Sequence, residues 1–314
     1  MVEEAELNIN GRFLDSRHKA KKGNTGYLVP LRLVGENMGA EVIWRPERGV
    51  IVLKKRGSVY EFNAGSSRVV VNGRRQRLPE LVRTYHGHAF APAEFLAEAL
   101  EAKVYFSQDT GTLALLRKEP ALTGRRIVLD PAHGGTEYGA VVNDLLEKEL
   151  VLDIVARTNY LLSAAGSSVY QTREIDENLD QRERGLIAKN LEANLLVTVH
   201  INSSVSEHLE GIEVYYYANW RSQRLAGEVL AEVVSETKAV NRGVKEASFF
   251  LLRHALCPAV HLECGFLTNP GEYAKLASPA YRERIAFGIF RGIRTYLETA
   301  SPAKIVDKAA TDRL

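Results

Sequence analysis

Hydrophobic residues in the back half of the chain follow two different spacings. Short aliphatic and β-branched runs end in polar or glycine-rich residues, as in RIVLDPAHGG, LLVTVHIN and PAVHLECGF. Such runs are typical of strands buried on both faces of a parallel sheet. The longer stretches between them have helical periodicity. We predict strands at 126–130, 167–172, 195–200, 211–217, 248–252 and 258–263, and helices at 147–164, 180–192, 220–237, 271–277 and 279–298.

Strands that alternate with helices predict an α/β domain, in which a mostly parallel sheet is covered by helices on both faces. Ligands of such sheets bind beyond the carboxyl ends of the strands. His133, His200 and Glu263 all stand at predicted strand ends, and Glu147 stands at the start of a predicted helix. Two histidines and one glutamate form the ligand set of a catalytic zinc site, and a further glutamate can take a proton from the attacking water. The pattern therefore favours a zinc hydrolase.

Each of these residues also has a simpler explanation. Glu147 stands in the first turn of a predicted helix, where the free amides and the dipole favour a carboxylate. His200 ends an apolar strand, as a core histidine would. Glu149 competes with Glu147 for the same role, and His261 is a rival ligand because it alternates onto the face of Glu263. One shared metal site explains these residues better than several unrelated roles.

The front half carries an internal repeat. Asn10-Gly11 recurs as Asn72-Gly73, and YLVPLRLVGENMGAEVIW at 27–44 recurs as AFAPAEFLAEALEAKVYF at 89–106. Each copy predicts two strands joined by a tight Asn-Gly turn, then a proline-led helix and a further strand. We predict four segments: a smaller α+β domain of two repeats at 1–118, a linker at 119–125, the catalytic domain at 126–299 and a disordered tail at 300–314.

Composition and charge narrow the class of protein. The 314 residues are 45% hydrophobic and 25% charged, and no apolar run is long enough to span a membrane. Residues 1–120 carry 19 Lys and Arg against 14 Asp and Glu, and the remainder carries 22 against 25, so the halves have net charges of +5 and −3. For the mildly basic front half we expect an ordinary solvated surface rather than a site for an anionic polymer. Nucleic-acid binding is not expected.

Five motifs in the back half carry a family resemblance. DPAHGG, EKEL, VTVHIN, NRGVK and PAVHLECGFLTNP occur in the order and spacing of the zinc-dependent N-acetylmuramoyl-L-alanine amidases, which cut bacterial cell-wall peptidoglycan. Residues 124–298 resemble that family. The resemblance implies that His133, Glu147 and His200 bind one zinc ion and that Glu263 acts as general base and acid.

The same resemblance implies a reaction. A zinc-activated water is expected to cleave the amide between the muramoyl lactyl group and L-alanine of the stem peptide. Arg184, Asn202 and Arg253 are candidate substrate-binding residues, and a structural role is the alternative for the two arginines. A zinc peptidase acting on the stem peptide and a non-catalytic wall-binding protein remain the alternatives.

The front repeats and the loop after His200 bear on the binding partners and on the location of the protein. The pattern NG…VPLR…E.MGAEV.W resembles the copper-amine-oxidase-N-terminal-like repeat module, which implies a targeting role at the bacterial envelope and no copper chemistry. Some members of the resembled amidase family carry an inserted regulatory helix between the second histidine and the last strands. Here only INSSVSEHLE separates His200 from Gly211, so an open groove and no activator protein are expected. A secreted or envelope location follows from the substrate, although MVEEAELNIN lacks the pattern of a signal segment. The oligomeric state is not predicted.

Overall fold

The structure, a computed structural model, describes residues 3–15 and 17–299. The tail predicted at 300–314 lies outside the described residues. The chain divides into two compact units, of which the front unit ends at Lys118 and the back unit begins at Glu119. No helix among the described residues has both the length and the apolarity needed to cross a bilayer.

The front unit is built from short strands and two short helices. Its strands are β1 (Glu4–Ile9), β2 (Arg12–Phe13), β3 (Ala20–Lys22), β4 (Tyr27–Pro30), β5 (Glu41–Arg45), β6 (Val50–Lys55), β7 (Ser58–Asn63), β8 (Arg68–Val71), β9 (Arg74–Arg77), β10 (Arg83–Tyr85), β11 (His88–Pro92), β12 (Ala102–Ser107) and β13 (Thr112–Arg117). Its helices are α1 (Leu31–Asn37) and α2 (Ala93–Ala99). One sheet has the order β10-β11-β4-β3-β1-β13-β12, with β2 paired to β1, and a second runs β5-β6-β7-β8-β9.

The two sequence repeats form matching strand–helix–strand units. β4, α1 and β5 correspond to β11, α2 and β12, and a proline precedes each helix at its N-cap. β4 and β11 pair antiparallel, with Val29 opposite Ala91, so the copies meet inside one sheet. Leu31 and Val34 of α1 and Leu96 of α2 are fully buried in a common core. The α+β fold predicted for the front half is confirmed.

The back unit alternates strands and helices. Its strands are β14 (Arg126–Pro131), β15 (Val141–Val142), β16 (Leu145–Leu146), β17 (Ser168–Gln171), β18 (Leu195–Asn202), β19 (Ile212–Tyr216), β20 (Asn241–Glu246) and β21 (Ala259–Phe266). Its helices are α3 (Glu147–Ala164), α4 (Gln181–Asn190), α5 (Trp220–Thr237), α6 (Phe250–His254), α7 (Pro270–Ala277) and α8 (Pro279–Thr299).

A six-stranded sheet of order β17-β14-β18-β21-β19-β20 forms the centre of the back unit. Its neighbours run parallel except for β19 and β21, which are antiparallel. α4 and α6 pack with Val128, Leu196 and Ala259 of the sheet, whereas α3, α5 and α8 pack together against it. The mostly parallel α/β sheet predicted from the sequence is confirmed.

Two local predictions were wrong. The strand predicted at 248–252 is the short helix α6, and the strand that completes the sheet is β20. The short apolar run FFLL at 249–252 fits a buried helix as well as a buried strand, and here Leu251 and Leu252 are buried as part of a helix. The linker predicted at 119–125 belongs to the back unit, because Leu122 is fully buried and its carbonyl accepts a hydrogen bond from Ser167 Oγ at 3.0 Å.

Candidate active site

The loop after β14 presents His133 at the carboxyl edge of the sheet. His133 has a φ of 58°, in the left-handed region, and Gly134 follows with a φ of 134°. A Cβ on Gly134 would lie 2.2 Å from the carbonyl oxygen of Glu177, so only glycine fits there. DPAHGG therefore forms a tight loop in which two backbone segments approach closely.

The buried ion pair of Arg184 and Asp130 holds this loop in place. Arg184 Nη1 donates to Asp130 Oδ1 at 2.7 Å, and Arg184 Nη2 donates to the carbonyl of His133 at 2.6 Å. Asp130 also accepts hydrogen bonds from the hydroxyls of Thr172 and Thr198, each at 2.5 Å. Burial alone would raise the pKa of Asp130, but Arg184 and the two hydroxyls lower it below its ordinary value.

This arrangement favours a structural role for Arg184 over the alternative of substrate binding. Its side chain is 2% exposed, and its guanidinium donors are used by Asp130 and by loop carbonyls, so it cannot reach a substrate. Arg173, which the sequence analysis did not identify, has a similar structural role. It is buried and donates to the carbonyls of Pro131, Ala132 and Lys148. Both arginines support the loop that carries His133.

Glu147, the first residue of α3, lies between the two predicted histidine ligands. Its Oε1 is 3.2 Å from His133 Nε2 and 3.3 Å from His200 Nδ1, and the candidate ligand atoms of the three residues all lie within 4.8 Å of one another. The backbone amides of Ala140 and Ile201 donate to its carboxylate at 2.7 and 3.0 Å. The side chains of His133, Glu147 and His200, which are far apart in the sequence, therefore lie together in one cluster.

The electrostatics of the cluster suit a cation. Burial would raise the pKa of Glu147, but the hydrogen bonds and charges of the two histidines lower it below its ordinary value, so the carboxylate stays ionised. Burial would lower the pKa of His200, but Glu147 and Glu263 raise it. Two imidazole nitrogens and one carboxylate oxygen are a ligand set that Zn²⁺ accepts. Glu149, the rival of Glu147, is exposed on α3.

Glu263 of β21 lies directly beside His200 of β18 in the parallel register. Its Oε1 is 2.8 Å from Nε2 of His261, and its Oε2 is buried and makes no hydrogen bond with any described residue. The ring of His261 is stacked between His200, at a centroid distance of 4.0 Å, and Phe249, at 4.4 Å. His200, His261 and Glu263 form a second group whose candidate ligand atoms all lie within 4.8 Å of one another, and within it His261 is hydrogen-bonded to Glu263.

A second buried carboxylate, Glu213, was missed by the sequence analysis. It is opposite Glu263 in the antiparallel register and is 2% exposed. Burial would raise its pKa, but hydrogen bonds from cationic and polar neighbours lower it. These donors are Asn202 Nδ2 at 3.0 Å, Tyr215 Oη at 2.7 Å, Arg242 Nε at 2.8 Å and Lys245 Nζ at 2.5 Å. A carboxylate inside the apolar run IEVYY was the signal, because it is the pattern that identified Glu263.

The two remaining candidates are placed differently. Asn202 is half-buried at the end of β18 and is tied to Glu213, so it lies beside the cluster. Arg253 is exposed at the end of α6, and among the described residues its side chain forms no hydrogen bond or ion pair. The hairpin of β15 and β16 precedes α3, and the described residues between β18 and β19 form a loop without a helix.

Comparison with known proteins agrees with this geometry. The family model described as N-acetylmuramoyl-L-alanine amidase matches residues 127–295, and the model of the copper amine oxidase N-terminal domain matches residues 8–115. The germination-specific N-acetylmuramoyl-L-alanine amidase of Bacillus subtilis (strain 168) is 31% identical, over 56% of this chain and 81% of its own length. The N-acetylmuramoyl-L-alanine amidase LytC of the same organism is 34% identical, over 57% of this chain but only 36% of its own length.

Solved structures show the same relationship. The crystal structure of N-acetylmuramoyl-L-alanine amidase from Clostridium difficile 630 has 32% sequence identity and a TM-score of 0.56, and the match covers 57% of this chain and 100% of that one. The catalytic domain of CwlV, an N-acetylmuramoyl-L-alanine amidase from Bacillus (Paenibacillus) polymyxa var. colistinus, has 33% identity and a TM-score of 0.54, over 55% and 98%. The chain is therefore an enzyme of the N-acetylmuramoyl-L-alanine amidase family, with a front unit of the copper amine oxidase N-terminal type.

Proposed function

We propose that this protein hydrolyses the amide that joins the lactyl group of N-acetylmuramic acid to L-alanine of the peptidoglycan stem peptide. The observation that carries the proposal is the convergence of His133, Glu147 and His200 at the carboxyl edge of the sheet, with Glu263 beside them. The membership of the family supplies the substrate class. A glycan strand freed of its peptide and a peptide with a new L-alanine amino terminus would be the products.

His133, Glu147 and His200 would hold one Zn²⁺ ion. The donor set supports this, because one carboxylate oxygen already lies 3.2 and 3.3 Å from the nearest nitrogens of the two imidazoles. When bound, the metal would lower the pKa of a coordinated water and polarise the scissile carbonyl. The backbone amides of Ala140 and Ile201 fix the Glu147 carboxylate, so the ligand geometry would be set before the metal arrives.

Glu263 would move the proton. One oxygen of its carboxylate, Oε1, is engaged by His261, whereas Oε2 is buried and free of hydrogen bonds with the described residues. Oε2 is therefore the atom suited to accept a proton from the attacking water and to return it to the leaving amine of L-alanine. A general base of this kind contributes about 10²–10⁴-fold to the rate.

The remaining residues would position the substrate and the loops. Glu213 is opposite Glu263, and Asn202, Arg242 and Lys245 are hydrogen-bonded to it. Arg253, exposed on α6, is proposed to contact the substrate. The front unit is proposed to target the enzyme to the wall, and the substrate itself implies action outside the cytoplasm.

The test is digestion of purified peptidoglycan followed by mass spectrometry of the products. Stem peptides with a free L-alanine amino terminus, lost with a zinc chelator and restored by zinc, are the expected result. Cleavage within the stem peptide would instead make the protein a zinc peptidase. Intact peptidoglycan with zinc bound would make it a non-catalytic wall-binding protein. The Glu263→Gln variant should keep its zinc and lose about 10²–10⁴-fold in kcat.

A further inference from the structure

The β8–β9 hairpin of the front unit concentrates positive charge. Its two strands are joined by Asn72-Gly73, whose φ values of 49° and 80° form a tight turn. β9 is the edge strand of its sheet, since among the described strands it pairs only with β8. All of its residues are exposed, and so is the first residue of β8. The hairpin arginines are Arg68, Arg74, Arg75 and Arg77.

Three of these arginines share one face of the sheet. Arg68 is directly opposite Arg77, and Arg75 is opposite Val70 two pairs further along. Cross-strand partners point to the same side, and the intervening Val69 is buried in the core on the other side. Arg68, Arg75 and Arg77 therefore project away from the core as an array, which we call the arginine face.

The arginine face is not neutralised by the protein. Among the described residues none of its three arginines forms an ion pair, and Glu61, which lies opposite Val70 on the same face, forms none either. At the other edge of this sheet Lys54 and Glu41 are opposite each other and form an ion pair at 3.1 Å. The sheet thus places opposite charges across from each other in one hairpin and like charges across from each other in the other.

A cost attaches to this arrangement. Like charges directly opposite each other on neighbouring strands destabilise a sheet. Protection of an edge strand against aggregation explains exposed charge on β9, but it does not require an arginine on β8 opposite Arg77. The turn is also held in place, because the backbone amide of Val59 donates to Asn72 Oδ1 at 2.8 Å. The hairpin therefore holds its cations on a fixed scaffold.

The net charge of the front half predicted an ordinary solvated surface, but the clustering of its arginines on one hairpin favours a binding site. We propose that the arginine face binds the carboxylates of peptidoglycan stem peptides, so that the front unit holds the enzyme on its polymeric substrate. This inference rests on the proposed function for the identity of the substrate. A guanidinium matches a carboxylate with two parallel hydrogen bonds. Arg75 and Arg77 are two residues apart on one strand, about 7 Å, so the face can engage several carboxylates of a repeating polymer at once.

The experiment measures pelleting of the full chain with insoluble cell walls, in the Glu263→Gln background so that the walls stay intact. Walls are used intact, after extraction of phosphodiester polymers, and after chemical amidation of their carboxylates. We expect pelleting to survive extraction, to fall about tenfold or more on amidation, and to weaken as NaCl is raised from 50 to 500 mM, as for other polyanions. Pelleting that is lost on extraction, or unchanged by amidation, would overturn the proposal.

Charge-matched variants assign the effect to the arginine face. Arg75→Gln with Arg77→Gln should reduce pelleting about tenfold and flatten its salt dependence. Arg12→Gln with Arg48→Gln removes the same charge from two exposed arginines elsewhere in the front unit and should change neither. An equal loss of pelleting in both double variants would show that binding is not specific to the arginine face.

Activity separates this inference from the proposed function. When Glu263 is left in place, both double variants should cleave a small soluble muramoyl peptide at the wild-type rate. Pelleting without cleavage of any substrate would refute the proposed hydrolysis and leave the binding face in place. If the enzyme cleaves its substrate but its pelleting is unchanged when the arginines are replaced, only the binding role of the arginine face is refuted.

Discussion

Nε2 of His261 lies 2.8 Å from Oε1 of Glu263, two residues further along the same strand, and this contact fixes which carboxylate oxygen is left for chemistry. The imidazole cannot swing away, because His200 and Phe249 stack on its two faces. Burial and the neighbouring His200 lower the pKa of His261, which favours a neutral ring that donates one hydrogen bond to the Glu263 carboxylate. His261 is thus a positioning residue for Glu263.

Replacing His261 by Leu should therefore lower kcat while leaving KM and the zinc content unchanged. Misplacement of a catalytic group by about 1 Å costs on the order of 100-fold, so a loss of about 10- to 100-fold is expected. His261→Gln keeps a side-chain N–H donor and should recover part of the loss. A Gln variant no better than the Leu variant, or loss of zinc in both, would show that His261 acts through packing or as a ligand.

The carboxylate ligand can be tested with a matched pair on α3. Glu147→Gln retains an acceptor for the amides of Ala140 and Ile201 but removes the charge between the two histidines, so zinc affinity should fall about 10-fold or more. Glu149→Gln changes an exposed carboxylate two residues away and should bind zinc normally. Competition with a fluorescent chelator measures both. Normal zinc binding in Glu147→Gln would remove Glu147 from the ligand set.

The buried pair of Arg184 and Asp130 should contribute strongly to stability. Arg184→Met leaves the Asp130 carboxylate buried without its partner, which should cost about 3–5 kcal/mol of unfolding free energy. Arg182→Met on the exposed side of the same helix should change it by less than about 0.5 kcal/mol. Chemical denaturation measures both variants. Similar small effects would contradict the bracing role of Arg184.

The same pair predicts a pH dependence. Asp130 has a lowered pKa in the folded state, so its contribution is fully present above its unfolded pKa of about 3.9 and is lost as the pH falls through the folded value. The difference in unfolding free energy between wild type and Asp130→Asn should therefore be constant above about pH 5 and shrink below about pH 4. A constant difference down to pH 2.5 would show that Asp130 is not titrated in this way.

The purified chain should be active without a second protein. The described residues between β18 and β19 form a loop that carries no helix able to cover the cluster of His133, Glu147 and His200. Release of stem peptides by the isolated enzyme at a rate unchanged by added envelope extract is the expected result. Activity that appears only with extract would contradict an open site.

The sequence by itself determined the class of fold and the catalytic candidates. Apolar runs that end in polar residues identified the strand ends, where parallel strands converge, and so identified His133, His200 and Glu263. The Asn-Gly turns and proline-led helices identified the two front repeats. These features depend on local periodicity and turn chemistry, which are determined by residues close together in the sequence.

Tertiary structure decided what depends on register and on distant partners. The role of Arg184 was not readable, because its partner Asp130 is 54 positions away and the pair exists only once α4 packs on the sheet. Glu213 joins the site only because β19 pairs antiparallel with β21 and places it opposite Glu263. The arginine face likewise arises from the pairing of Arg68 with Arg77, since a shift of one residue would send these side chains to the opposite side.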